Sequence, residues 1–221
     1  MTMNVDLLIF DLDGTLIDSK NDIAVATNLM LKDLGFNEVP LQTVVSFIGE
    51  GVRRLVERAV RYSSGKTDLN EPEVESAMVT FRRHYAEHLV DSTVLYPHVA
   101  ETLEVLKPKK KAILTNKPFE FSDRILRMLS IRKQFLVVLG GDSLPVRKPA
   151  PEPIWHLLNH FQVAADRAVM IGDSRTDIDC GRAAGIATCG VSYGFRPRTE
   201  LEESGAEIII DDFSEVAVKF K

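Results

Sequence analysis

The chain has 221 residues, of which 45% are hydrophobic and 27% are charged. This length allows one domain, or a core domain with an inserted subdomain, and the composition excludes a disordered chain. The formal net charge of −5 argues against a nucleic-acid partner. No apolar run approaches the roughly 20 residues that span a bilayer, and the N-terminus is not typical of a secretory signal. Cys180 and Cys189 match neither metal-site nor disulfide spacing. We therefore expect a cytoplasmic protein with no nucleic-acid or membrane partner.

Short apolar runs alternate with helical patterns over much of the chain. The first run, residues 5–10, is typical of a strand buried on both faces. Because strands alternate with helices, the sequence predicts an α/β fold with a Rossmann-like, doubly wound parallel sheet. Further strands are predicted at 111–114, 136–139, 168–171, 186–191 and 207–210, and helices near 98–107, 119–130, 152–162, 174–185 and 212–219.

Residues 18–92 break this alternation, because only helical spacing occurs there. Helices are predicted at 21–34, 41–48, 52–61 and 72–89. We therefore expect a Rossmann-like core made of residues 1–17 and 93–221, with a helical cap subdomain, residues 18–92, inserted after the first strand. The basic run at 107–111 is interpreted as a solvated turn that leads into a strand.

Polar side chains, carboxylates above all, follow the predicted core strands where each strand ends. The carboxyl ends of parallel strands meet at one edge of the sheet, and ligands bind outside that edge in open α/β sheets. We therefore expect these side chains to lie together. They are Asp11, Asp13, Thr115, Asn116, Lys148, Asp173 and Asp177.

This set of residue types suits phosphoryl transfer. One carboxylate can attack phosphorus and form an aspartyl-phosphate. A second carboxylate, two residues along the strand and on the same side, can protonate the leaving alkoxide and later activate water. Clustered acidic oxygens suit Mg²⁺. A hydroxyl, backbone amides and a lysine can hold the other phosphoryl oxygens and offset repulsion between the anions.

Four segments resemble, in order, the four motifs of the haloacid dehalogenase superfamily. The match spans nearly the whole chain, and the helical insert is similar to the superfamily's cap of the first type. Within the superfamily the chain looks most like the phosphoglycolate phosphatase group, through TNKP at 115–118, KPAP at 148–151, AAG at 183–185 and VSYG at 191–194. The four motifs are DLDGTLIDS at 11–19, LTNKP at 114–118, KP at 148–149 and GDSRTD at 172–177.

The resemblance implies a role for each matching position. Asp11 would be the nucleophile and a magnesium ligand. Asp13 would be the general acid and base, with its backbone carbonyl on the metal, and a carboxylate there separates phosphatases and phosphomutases from dehalogenases. Thr115 and Asn116 would bind the phosphoryl group, and Lys148 would steady Asp11 and the phosphate.

The remaining candidates complete the metal site and the cap. Asp173 would ligate magnesium, and Asp177 would support the metal shell through water. Gly49 and Gly51 match a glycine-rich cap loop that faces the active site in such enzymes, and Arg53 is a candidate partner for a substrate carboxylate. A helix–helix turn and a solvated helix face are the alternatives for this cap segment.

The sequence therefore predicts a Mg²⁺-dependent phosphatase, monomeric or homodimeric, that acts on a small phosphorylated metabolite, phosphoglycolate by preference. A β-phosphoglucomutase-like phosphomutase or a pyrophosphatase would use the same core. A non-enzymatic phosphoacceptor switch also places acids, a hydroxyl and a lysine at strand ends, but it needs no substrate cap.

Two positions depart from the pattern of the phosphoglycolate phosphatase group. His98 stands where the pattern usually has glycine, and Gly181 where alanine is common. Both leave the chemical motifs intact but weaken any inference about the exact substrate.

Overall fold

The structure is a computed structural model that describes residues 2–221. The chain forms two units, one running up to Asp18 and resuming over Leu95–Lys221, the other comprising Ser19–Val94. The sequence-based boundaries, after residues 17 and 92, fall one and two residues before these. Among the described residues, no helix is both long and apolar enough to cross a membrane.

The first unit is built on a six-stranded parallel sheet, with strand order β5-β4-β1-β6-β7-β8. The chain winds outward from the central β1 to β5, and then returns to the other side of β1 with β6. This reversal confirms the predicted doubly wound α/β fold, and it places a ligand-binding crevice at the carboxyl ends of β1, β4 and β6. The strands are β1 (Leu7–Phe10), β2 (Ile17–Asp18), β3 (Val94–Leu95), β4 (Lys110–Leu114), β5 (Val137–Leu139), β6 (Ala168–Gly172), β7 (Ala187–Val191) and β8 (Ile208–Ile210), with β2 and β3 paired in a separate two-stranded sheet.

Both faces of the central strand are buried. Leu7 and Ile9 belong to the core cluster on one face. On the other face, the ring of Phe10 lies 6.1 Å from that of Phe135 and 5.8 Å from that of Phe213. Burying a side chain of this size contributes about 1.5–3 kcal/mol. This two-sided burial explains why β1 is entirely apolar and why acidic groups stand only outside it, Asp6 before the strand and Asp11 after it.

Helices cover the sheet and make up most of the second unit. The predicted helices are present, with ends shifted by up to a few residues. One short helix of six residues, with Leu201 alone buried, was not predicted because it is too short to show an apolar period. The helices are α1 (Lys20–Asp33), α2 (Leu41–Phe47), α3 (Val52–Ser64), α4 (Glu71–Glu87), α5 (Val99–Val105), α6 (Phe119–Met128), α7 (Glu152–Phe161), α8 (Arg175–Ala184), α9 (Arg198–Glu203) and α10 (Glu215–Lys219).

The second unit consists of α1–α4 and the segment that follows them. Helix α4 begins with a capping box, in which Asn70 accepts from the backbone N–H of Glu73 and the Glu73 carboxylate accepts from that of Asn70. In the first turn of α1, the buried carboxylate of Asp22 accepts hydrogen bonds from the backbone N–H groups of Ser92 and Thr93 and from the Thr93 hydroxyl. This contact ties the end of the insert to its beginning.

The basic run at 107–111 is a turn that leads into a strand, as expected: residues 107–109 form the turn, the Lys107 side chain is 77% exposed, and β4 begins at Lys110. The other three lysines are not simply solvated. The ammonium groups of Lys109 and Lys110 donate to the carbonyl oxygens of Val5 (2.8 Å) and Phe161 (2.9 Å). Lys111 is buried and donates to a carbonyl at the end of α5, at 2.6 Å. Burial lowers the pKa of this last ammonium group. These lysines therefore bind backbone carbonyls instead of forming a cationic surface.

Candidate active site

The sheet fixes the first functional residue after each central strand. The backbone N–H of Asp11, directly after β1, donates to the carbonyl of Ile171 in β6 at 2.9 Å. The backbone N–H of Thr115, directly after β4, donates to the carbonyl of Leu139 in β5 at 3.0 Å. Because strand pairing continues one residue past each strand, these side chains are held by the backbone of the sheet.

Lys148 joins two of the predicted acids. Its Nζ lies 2.8 Å from Asp11 Oδ1 and 2.5 Å from Asp177 Oδ1, and all three side chains are largely buried. Asp177 Oδ2 accepts hydrogen bonds from Ser174, at 3.1 Å from the backbone N–H and 2.7 Å from the hydroxyl. Burial opposes the charged form of Lys148, but the two carboxylates outweigh it and raise the pKa of the ammonium group. Lys148 is therefore a cation inside the site.

Asp11, Asp173 and Asp177 form an acidic cluster, since one carboxylate oxygen of each lies within 4.8 Å of those of the other two. Burial raises the pKa of Asp11 to about 6, against the opposing effect of Lys148. Burial, with the neighbouring carboxylates, also raises the pKa of Asp173 well above its ordinary value. The acidic cluster thus has excess negative charge in a dry environment, and its hard oxygen atoms suit a divalent cation such as Mg²⁺.

Glycines let the backbone approach these carboxylates closely. Gly14 has a positive φ of 84°, and a Cβ there would lie 2.2 Å from Asp173 Oδ2. A Cβ on Gly172 would lie 2.2 Å from Asp177 Cγ. Any other residue would displace the acids, so the acidic cluster depends on these two glycines.

Asp13 is paired with a lysine that sequence reasoning did not assign. Lys117 Nζ donates to Asp13 Oδ1 at 2.7 Å, and both side chains are largely buried. The Lys117 backbone N–H donates to Thr115 Oγ1 at 3.2 Å, and Asn116 Nδ2 donates to the Lys148 carbonyl at 3.1 Å. The position of Lys117 in the sequence could have indicated this pairing, because Lys117 also follows β4 at the carboxyl edge of the sheet.

The predicted cap residues lie in the second unit. Gly49 and Gly51 have φ of 116° and 92° in the loop between α2 and α3, as a tight helix–helix turn requires. The guanidinium of Arg53 contacts glutamates of α3 and α4, and these raise its pKa. Its substrate role therefore stays a prediction. The three partners are Glu57 (3.0 Å), Glu71 (2.5 Å) and Glu75 (3.1 Å).

Comparison with known proteins identifies relatives of this chain with the same fold. The chain is 41% identical over 219 residues to a phosphoglycolate phosphatase of Psychrobacter arcticus, covering 96% of this chain and 94% of the relative. It is 36% identical over 220 residues to the phosphoglycolate phosphatase of Haemophilus influenzae, covering 98% of each. The crystal structure of a predicted phosphoglycolate phosphatase from Haemophilus somnus matches with a TM-score of 0.91 and 36% identity, covering 96% of each chain.

These relatives and the family match show that the protein is a phosphatase, an enzyme that hydrolyses phosphoric monoesters. The sequence model of the haloacid dehalogenase-like hydrolases matches residues 8–191. The chain belongs to that family, as its motifs predicted.

Proposed function

We propose that the protein is a Mg²⁺-dependent phosphatase that hydrolyses a small phosphate monoester, phosphoglycolate by preference, through an aspartyl-phosphate at Asp11. The observation that carries this proposal is the position of Lys148 between Asp11 and Asp177, inside the acidic cluster. The relatives named phosphoglycolate phosphatase, 36–41% identical over almost their full length, support the preferred substrate.

In the first step, a carboxylate oxygen of Asp11 bonds to phosphorus while the ester P–O bond breaks. The leaving alkoxide takes a proton from the carboxyl group of Asp13. Lys148, 2.8 Å from the nucleophile, favours the ionised form of Asp11 against the burial that raises its pKa. The same ammonium group orients the attacking carboxylate.

In the second step, water attacks phosphorus and gives up a proton to the Asp13 carboxylate. The bond from phosphorus to Asp11 breaks, phosphate departs, and the nucleophile is regenerated. Lys117, 2.7 Å from Asp13, holds this acid and base group in place. The Thr115 hydroxyl and the Asn116 amide stabilise charge on the phosphoryl oxygens in both steps.

The residues of the site fit magnesium. Burial of several carboxylates with few cations leaves negative charge that a divalent ion would neutralise, and all the donors are hard oxygens. Asp11 and Asp173 would hold the ion directly, together with the backbone carbonyl of Asp13. Asp177 would act through water, because both its carboxylate oxygens already accept protein hydrogen bonds. When bound, Mg²⁺ offsets charge on the phosphoryl oxygens.

We also propose that the enzyme acts in the cytoplasm, as a monomer or homodimer, without a nucleic-acid or membrane partner. The two cysteines, Cys180 and Cys189, are buried free thiols. A reducing compartment keeps such thiols unmodified.

Phosphate release from a panel of substrates tests the proposal. The panel contains phosphoglycolate, phosphoglycerate, sugar phosphates, nucleoside monophosphates and pyrophosphate, each with Mg²⁺ and after EDTA. We expect the highest kcat/KM for phosphoglycolate, loss of activity in EDTA and recovery with Mg²⁺.

Four other outcomes would contradict parts of the proposal. Full activity in EDTA would contradict the metal assignment. Conversion of a sugar phosphate to its isomer, or preferred cleavage of pyrophosphate, would establish one of the alternatives instead. A stable phosphoenzyme without turnover would indicate a phosphoacceptor switch.

A further inference from the structure

The segment 192–196, which follows β7, contacts the site although the mechanism above gives it no part. It leaves the sheet at the same carboxyl edge as β1 and β6. The backbone N–H of Phe195 donates to Asp173 Oδ2 at 2.7 Å. A Cβ on Gly194 would lie 2.3 Å from the Cβ of Asp173 and 2.5 Å from the carbonyl oxygen of Gly14. The segment therefore packs tightly against a predicted metal ligand and against the loop that follows the nucleophile.

A side chain of the same segment binds that loop directly. The hydroxyl of Tyr193 donates to the backbone carbonyl of Thr15 at 2.9 Å. Its ring packs on that of Tyr96, with centroids 4.7 Å apart and planes tilted by 54°. The backbone N–H of Tyr96 in turn donates to the carbonyl of Leu16 at 3.0 Å. Two consecutive carbonyls of the nucleophile loop are thus held by a pair of packed tyrosines.

Tyr193 and Phe195 are only two residues apart, and they form hydrogen bonds to two different sides of the site. One contacts the loop that begins with Asp11 and Asp13, and the other contacts Asp173. A short, packed segment with bonds to both sides limits how far the two sides can separate. Small displacements of catalytic groups are costly in rate, so such a constraint has kinetic consequences.

We propose that Tyr193 is a positioning residue for phosphoryl transfer, whose hydroxyl fixes the nucleophile loop relative to Asp173. The proposal rests on the function proposed above. In this role Tyr193 acts through the backbone of Thr15, whose carbonyl accepts its hydrogen bond. A merely structural role would lower thermal stability only. A positioning role also weakens Mg²⁺ binding and slows the chemical step while leaving substrate binding nearly unchanged.

The test uses Tyr193→Phe, which removes the hydroxyl and keeps the ring against Tyr96. We expect kcat to fall about tenfold with little change in KM, because the nucleophile loop is then held less precisely relative to Asp173 and small displacements of catalytic groups slow the chemical step. We also expect several-fold weaker Mg²⁺ binding to the substrate-free protein by calorimetry. Ser192→Ala is the matched control, because its hydroxyl contacts Ile210 and Asp211 and not the acidic cluster. It should match the wild-type protein in both measurements.

Gly194→Ala is a second variant that keeps the Tyr193 hydroxyl but presses on both Asp173 and the carbonyl of Gly14. It should weaken Mg²⁺ binding more than Tyr193→Phe, because the new Cβ pushes on Asp173, a proposed metal ligand.

Wild-type kcat and wild-type Mg²⁺ affinity in Tyr193→Phe would overturn the inference while leaving the proposed function intact. If the wild-type protein releases no phosphate but the Mg²⁺ affinities follow the expected order, the proposed function fails and the positioning of the acidic cluster stands. Absence of both activity and Mg²⁺ binding in the wild-type protein would overturn both.

Discussion

Each unit of the molecule holds a cation among several carboxylates, and the two clusters differ in burial. In the first unit, Lys148 contacts Asp11 and Asp177 with its side chain 2% exposed. In the second, Arg53 contacts three glutamates with its side chain 35% exposed. Water and salt screen the exposed pairs, whereas burial shifts the pKa of the acids in the first unit. Both clusters place one cation among carboxylates, but only the buried one contains acids whose pKa values are raised.

The strongest test of this contrast is Asp11→Asn. We expect turnover to fall by at least about 10⁴-fold, because the nucleophile is lost while the shape of the residue is kept. The melting temperature should stay equal or rise, since a buried negative charge is removed. Phosphate-release kinetics and a thermal melt measure both effects. Asp6→Asn is the matched control at the other end of β1, where the carboxylate pairs with Arg167 at the surface. Near-wild-type turnover in Asp11→Asn would remove this residue from the mechanism.

Lys148→Met should have the next largest effect. We expect kcat to fall about 10²- to 10³-fold, since the variant lacks the charge that orients and ionises the nucleophile. The melting temperature in EDTA should also fall, because buried carboxylates lose their cation, and Mg²⁺ should restore part of it. Kinetics and thermal melts with and without Mg²⁺ check this. A variant more stable than the wild-type protein in EDTA would show that Lys148 does not neutralise the acidic cluster.

The acidic cluster of the metal-free protein should contribute less to stability as pH rises through the acid range. The pKa of Asp11 is raised from 3.8 to about 6 in the folded state, and that of Asp173 is also raised. Between the unfolded and folded values, the folded state binds more protons than the unfolded state, so the free energy of unfolding decreases with pH. Mg²⁺ should reverse the loss above about pH 6, because it favours the ionised acids.

Thermal melts in EDTA from about pH 4 to about pH 8 measure this dependence. Comparison of the wild-type protein with Asp173→Asn isolates the contribution of the acidic cluster from that of the surface acids. The variant should have a shallower decline with pH. If the melting temperatures of the two proteins change with pH in parallel, the pKa of Asp173 is not raised in the folded state.

Arg53→Gln should give the smallest effect. We expect kcat/KM for phosphoglycolate to change less than about threefold, since the guanidinium is partly exposed and shared by three glutamates. Steady-state kinetics of the wild-type protein and Arg53→Gln with phosphoglycolate measures this change. An increase in KM of more than about tenfold with unchanged kcat would instead support the substrate-carboxylate role that the sequence predicted.

The sequence predicted the core well for a physical reason. A strand buried on both faces must be apolar until it leaves the sheet, so the apolar run at 7–10 and the acids that follow it form a local pattern; Asp6, inside the predicted span of 5–10, lies before the strand. Because parallel strands end at one edge, the order of Asp11, Lys148 and Asp173 along the chain predicted that these side chains lie close together.

Contacts between side chains and distant backbone were not predictable in this way. Tyr193 binds the carbonyl of Thr15 across 178 positions of sequence, and no local period reports such a contact. The pairing of Lys117 with Asp13 also depends on strand register. The basic run was expected to be a solvated turn, but the long side chains of Lys109, Lys110 and Lys111 reach backbone carbonyls. These features need the fold before they can be recognised.

Covalent trapping at Asp11 tests the proposed chemistry most directly. The wild-type protein is mixed with phosphoglycolate and Mg²⁺, quenched with borohydride, which reduces an acyl phosphate to an alcohol, and digested for peptide mass spectrometry. We expect the residue at position 11 to be recovered as homoserine, and no such product from Asp11→Asn or without substrate. Rapid phosphate release with an unmodified Asp11, or reduction at another carboxylate, would contradict the account.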